Sequence, residues 1–291
     1  MSRWLNPPTW LPVIPQIPPI CGWRGVIVGT GRRLRLVEIA IVTYPGMTAL
    51  DAIGPYEVLR ALPGAQVRFV WHEPGPVASD SGVLVLAATH AFSETLAPDI
   101  VLVGGSGPAT ASTANDEALL AWLRRVHETS TWTTSVCSGS IILAAAGLLE
   151  GKAATSHWAT VAGLSAFGAK PQRDQRIVRD GKIVTAAGVS AGIDLALWLA
   201  GEIAGEQTAR AIQLLIEYDP QPPFDSGHLS KASAAVKREA AALVAREGAQ
   251  LLARDPQAVL REASAIPTVL WKGAIRRART SRRWPLTRPK Q

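Results

Sequence analysis

One cysteine sits where a β-rich run hands over to a helical one. In STWTTSVCSGSIILAAAGLL, Cys137 is followed by Ser138 and Gly139 and then by a long apolar stretch. A strand leading directly into a helix leaves its junction at the carboxyl edge of a parallel sheet, the edge where α/β proteins bind ligands. The helix starting near Gly139 would turn its positive end toward the sulfur, and such a field favours the thiolate, the nucleophilic form. Ser135 and Gly139, two residues to either side, supply the small side chains that a sharp strand-to-helix turn demands. The arrangement parallels a G-x-S-x-G elbow, with serine for the first glycine and cysteine for the nucleophile. A lone cysteine is ordinarily an inert core residue, so its position carries the reading, not its type.

Three further features converge on the same edge. Gly104-Gly105 ends the apolar run DIVLVGG, and exposed glycine N–H groups beside a nucleophile can serve as substrate-binding, oxyanion-type donors; a plain strand-ending turn would use the same residues. Asp51 lies in TALDAIGPYEVL, on the first helix after the first strand. There it can exchange a proton with the thiol, or simply favour its helix start as a surface acid. His157, in TSHW, either swings into the site or packs at a helix start with Trp158. Asp194 in SAGID either pairs with that histidine or caps its own helix, and capping is the reading adopted. Trp71, Trp122, Trp132 and Trp198 fall at core-like positions.

These residues need a frame, and the chain supplies one. LRLVEIAIVTY reads as a strand ending at Pro45-Gly46, followed by a helix through ALDAIGPYEVLRAL, a second strand AQVRFVWHE, and a hairpin that turns at Asp80-Ser81-Gly82. DIVLVGG is a buried strand. DEALLAWLRRVHE is an amphipathic helix with apolar residues at 119, 120, 123 and 126. The strand STWTTSVC and the helix GSIILAAAGLL flank the cysteine. A helix through HWATVAGLSAFG, a hairpin at Asp180-Gly181, and helices AGIDLALWLAGEIAG and EQTARAIQLLIEY complete the unit. Strands alternating with helices imply an α/β fold, with a mostly parallel sheet covered on both faces.

Composition narrows the function classes. The net charge of +7 belongs to the ends. Residues 1–35 carry five Lys and Arg and no acid, residues 266–291 carry eight and no acid, and the remainder holds 17 basic against 23 acidic residues. Such arms either touch nucleic acid or an acidic membrane, or are simply solvated. Four segments are expected: a Pro-rich, disordered extension over 1–34, a catalytic domain over 35–228, a helical extension over 229–265 packed on it, and a disordered basic tail over 266–291. No run reaches the roughly 18 unbroken apolar residues of a membrane span. Cys21 and Cys137, the only cysteines, form neither a disulfide framework nor a zinc spacing, which suits a reducing cytoplasm.

TALDAIGPYEVL, DIVLVGGSG, TSVCSGSIILAAAGLLEGKAATSHW, AAGVSAGIDLAL and IQLLIEYDPQPPF together resemble the ThiJ/PfpI superfamily, which is glutamine amidotransferase-like, over residues 36–228. Within it the chain is most similar to the isonitrile hydratases. The resemblance implies a flavodoxin-like sandwich with a nucleophile elbow, a homodimer, and a small-molecule substrate. It places the nucleophile on Cys137, its acidic partner on Asp51, and the following hydroxyl, typically threonine, on Ser138. It implies water addition to an isonitrile through a cysteine thioimidate, with no cofactor, no metal, no membrane partner and no specific nucleic acid. Peptidase-like members place histidine directly after the cysteine; Ser138 stands there instead, so a Cys-His hydrolase would lack its base. Glyoxalase-type or carbonyl-stress chemistry by the same cysteine, and redox sensing, remain alternatives. A sensor domain related to AraC-type regulators is another, although the stretch after Gly227 shows no second recognition helix.

Overall fold

A computed structural model describes residues 36–254 and 256–281, together with the backbone of 27–28 and 32–33. The chain divides into two units, residues 1–35 and 36–291. In the first, Ile27–Val28 pairs antiparallel with Arg32–Arg33. The remainder of the expected 1–34 extension, Cys21 included, lies outside the described residues.

The second unit is built on runs of fully buried β-formers. Strand β1 (Val37–Val42) is followed by α1 (Ala49–Leu59) and β2 (Ala65–Trp71). An antiparallel hairpin comes next, β3 (Gly75–Ala78) against β4 (Val85–Ala88), with its tip at the expected Asp80-Ser81-Gly82. Then come β5 (His90–Ala91), β6 (Ile100–Val103), the short α2 (Thr110–Thr113) and α3 (Glu117–Thr129). After β7 (Trp132–Ser135) and α4 (Gly139–Ala145), β8 (Ala153–Ala154) pairs with β9 (Lys170–Pro171). The hairpin β10 (Ile177–Asp180) and β11 (Ile183–Ala186) leads into α5 (Ala191–Ala204) and α6 (Glu206–Leu215). Helices α7 (Ala234–Arg254) and α8 (Pro256–Ser281) follow.

Seven strands form the central sheet in the order β10-β11-β7-β6-β1-β2-β5, parallel throughout except at the β10–β11 edge. Every residue of β6, β7 and β11 is buried, the pattern expected of parallel strands covered on both faces. Helix α1 packs on α5, and α3 packs on α4. Leu119, Leu120, Leu123 and Val126 of α3 are all buried, as their spacing predicts.

Two expectations are corrected. The segment after His157 is a 3₁₀ helix over Val161–Phe167, not an α-helix; Gly168 ends it in the left-handed region at φ +79°. The basic end does not begin as an irregular tail at residue 266, because α8 continues to Ser281. Ala265, Val269 and Gly273 recur at a spacing of four, and all three are buried against the body. That narrow stripe ties down a stretch whose charge suggested solvent. Residues 282–291 lie outside the described residues.

Candidate active site

Cys137 occupies the turn between β7 and α4 with φ +58°, the left-handed region that side-chain-bearing residues rarely adopt. Its backbone is fixed on both sides: its N–H donates to the Ala187 carbonyl at 2.8 Å, and its carbonyl accepts from Ser156 Oγ at 3.0 Å. The turn closes only because Gly139 lacks a side chain. A Cβ there would stand 2.1 Å from the Val103 carbonyl oxygen. The small residue inferred at this position is therefore a steric requirement of the elbow.

Asp51 is carried to the same place by the first turn of α1, and no part of it is exposed. Oδ2 accepts the Gly105 N–H at 2.6 Å. Oδ1 is buried without a partner of full hydrogen-bond geometry, and the Cys137 thiol is the side-chain donor beside the carboxyl. Gly104 and Gly105 make this approach possible. A Cβ on Gly104 would lie 2.9 Å from Asp51 Cβ, and one on Gly105 would lie 2.4 Å from Ser138 Oγ. The role expected for the Gly105 N–H is corrected accordingly. It is committed to the carboxyl of Asp51, and the Gly104 carbonyl accepts from the Tyr44 hydroxyl at 3.1 Å.

Burial governs the charges. Removal from water pushes the Asp51 carboxyl up to about 7, against the opposing pull of the Gly105 N–H and the thiol. Burial, and then the Asp51 carboxylate, push the Cys137 thiol up to about 12, while the backbone N–H groups of Ser138 and Val189 and the Ser138 hydroxyl oppose the shift. Cys137 is only 6% exposed. The helix field expected to favour the thiolate comes from a helix of only seven residues, and burial and the neighbouring carboxylate act against it. Two anions do not fit in one dry site, so at neutral pH the pair carries one proton fewer than its full complement at most.

Ser138 ties the elbow to the loop after β6. Its Oγ accepts the Ser106 N–H at 3.0 Å, donates to the Ser106 carbonyl at 2.9 Å, and lies 2.8 Å from Thr110 Oγ1. The sulfur is the alternative acceptor for its single proton. Ser106, Thr110 and Tyr44 had no signal of their own in the sequence, beyond standing near Gly104-Gly105 or the end of the first strand. Val189 contributes only a backbone N–H, which no residue type announces. His157 is brought to the rim: a Cβ on Gly188 would lie 2.9 Å from its ring. Its ring stands 5.3 Å from that of Trp158, and burial lowers its pKa and keeps it neutral. No hydrogen bond joins it to Cys137 or Asp51 among the described residues. Asp194 neither caps α5 nor meets His157. It pairs with Arg176 and accepts from the Tyr218 hydroxyl at 3.0 Å.

A cavity of about 820 Å³ opens on the same edge of the sheet, between the β3–β4 tip, Trp71, α2 and the last two helices. Cys137 and Asp51 are not among its walls. Ser106 stands between, bonding the Gly46 carbonyl at 2.5 Å on the cavity side and Ser138 on the other. Among the described residues no three His, Cys, Asp or Glu side chains converge as metal ligands, and no helix is long and apolar enough to cross a membrane.

Residues 37–202 match the sequence model of the DJ-1/PfpI family. The chain belongs to that family. It is 44% identical over 204 residues to an isonitrile hydratase of Pseudomonas putida, a match that spans 70% of this chain and 88% of that one. The crystal structure of a ThiJ/PfpI family protein from Pseudomonas syringae superposes with a TM-score of 0.69 at 36% identity, covering 80% of this chain and 91% of that chain. The chain is also 30% identical over 172 residues to the HTH-type transcriptional regulator CdhR of Pseudomonas aeruginosa, a match that spans 57% of this chain and 50% of that one.

Proposed function

We propose that the chain hydrates an isonitrile to an N-substituted formamide, with Cys137 as nucleophile and Asp51 as the proton carrier. One observation carries this: a buried thiol and a buried carboxyl, each with a raised pKa, share a site on a strained nucleophile elbow. Perturbed, mutually repelling groups are what proton-transfer chemistry requires. The 44% similarity to an isonitrile hydratase supports the substrate class.

The chemistry balances without a cofactor. Sulfur bonds to the terminal isonitrile carbon as the thiol proton passes to Asp51 and from it to that carbon, giving a thioimidate, R–N=CH–S–Cys137. Water then adds across the C=N bond. Its hydroxyl joins the carbon and its remaining proton, relayed by the same carboxyl, goes to nitrogen. Collapse breaks the C–S bond, forms the formamide carbonyl, and returns the hydroxyl proton to sulfur. A carboxyl with a pKa of about 7 is near the optimum for taking and giving that proton at neutral pH. Ser138 would hold the elbow in place rather than touch the substrate, since its Oγ is committed to Ser106 and Thr110.

The test is formamide formation from a small panel of isonitriles. Wild-type protein should form it, and Cys137→Ala should form none above background. Turnover at the wild-type rate by Cys137→Ala would end the proposal.

A further inference from the structure

Helix α8 reaches the loop that holds Ser138. The backbone N–H groups of Ala111 and Ser112, at the start of α2, donate to the two carboxylate oxygens of Glu262, the second at 2.9 Å. One residue earlier, Thr110 Oγ1 lies 2.5 Å from the Ser106 carbonyl oxygen and 2.8 Å from Ser138 Oγ, and its one proton can serve either. Ser106 and Ser138 exchange two further bonds, at 3.0 and 2.9 Å. Asn115 Nδ2 donates to the Ala265 carbonyl at 2.9 Å, and Lys272 Nζ bonds Glu117 Oε1 at 2.6 Å, so α8 grips the α2–α3 segment at three points.

From this chain of bonds we infer that Glu262 is a positioning residue: through α2 and Thr110 it fixes Ser138, the residue that follows Cys137 on the elbow. A four-residue helix leaves its leading N–H groups without intrahelical partners, and Glu262 takes those of Ala111 and Ser112, directly after Thr110. Glu262 supplies that cap from about 150 residues downstream in sequence. The C-terminal helix thereby reaches the elbow through hydrogen bonds. Glu262 also adds its charge to the surroundings of Tyr44, which holds the Gly104 carbonyl.

The inference rests on Cys137 being the reacting nucleophile, but its test does not need an isonitrile. The rate of iodoacetamide alkylation at Cys137 is measured against pH in the full chain, by mass spectrometry of the Cys137 peptide. Glu262→Ala should slow alkylation about tenfold at pH 8 and move its midpoint to higher pH, because the hydroxyl that opposes the raised thiol pKa is no longer held in place. Thr110→Val should do the same, and the double variant no more than the larger single effect, since both act through one bond. Lys272→Ala, which loosens α8 elsewhere, should stay within about twofold of wild type. In turnover, Glu262→Ala should lower kcat and leave KM nearly unchanged.

Several results would overturn it: a wild-type rate and midpoint in Glu262→Ala, additivity with Thr110→Val, or an equal loss in Lys272→Ala. A midpoint moved to lower pH would also do so, because it would mean that only the carboxylate's charge reaches the sulfur. Should Glu262→Ala not fold, Glu262→Gln, which keeps one acceptor oxygen, is read by the same criteria and should give a smaller shift in the same direction. If the alkylation pattern holds while no isonitrile turns over, the positioning role stands and the proposed reaction falls.

Discussion

Asp51 and Cys137 raise each other's cost of ionisation, and that is testable with one atom changed. With the carboxylate gone, the repulsion that helps push the thiol toward 12 goes too. In Asp51→Asn the thiolate should therefore form at lower pH than in wild type, seen as growth of its ultraviolet absorbance. Formamide production should nonetheless fall by about a hundredfold or more, the usual loss when a general acid–base group is removed. A thiol pKa that rises in Asp51→Asn would contradict the reading of the pair as like charges in one site. Much of this pair was legible from residues. Cys137 was marked by small neighbours at an expected elbow, and Asp51 by its place in the first turn of α1. The protonation state was not, because it depends on how much water the fold removes, and burial is a property of all the elements together.

At the scale of elements, strand and hairpin patterns were the clearest signals. Runs such as IVLV and the turns at Asp80-Ser81-Gly82 and Asp180-Gly181 are local, and local chemistry sets them. What stayed hidden was contact between elements distant in the chain. Nothing in Gly104-Gly105 says that the second glycine gives its N–H to a carboxyl 54 residues earlier. The steric half of that role makes a prediction: Gly105→Ala would put a methyl group 2.4 Å from Ser138 Oγ and 2.5 Å from its backbone nitrogen. The elbow would have to shift, at a cost of about 1–3 kcal/mol for such overpacking. Thermal unfolding should show that loss, and turnover should fall with it. Gly107→Ala, where no atom lies within 4 Å of the added carbon, should change neither. The same limit explains α8, whose stripe of Ala265, Val269 and Gly273 is too sparse to outweigh a run of arginines when read from sequence, yet is buried once the body is present.

For the whole molecule, an α/β sheet of seven strands brings β1, β6, β7 and β11 to one edge, and every candidate side chain reaches that edge from a loop or first helical turn behind a strand. The fold follows from alternating strand and helix patterns, and the family from five blocks spread over residues 36–228. The reaction does not follow from the fold, since the chain is also similar to half of a transcriptional regulator. Only the chemistry at the elbow separates those possibilities, so the decisive measurement is made there. Protein turning over an isonitrile labelled with ¹³C at its terminal carbon is quenched with borohydride, and the Cys137 peptide is weighed. The label should be found on the sulfur of Cys137 as the reduced thioimidate adduct. Formamide appearing while that peptide remains unmodified at every quench time would contradict covalent catalysis by Cys137.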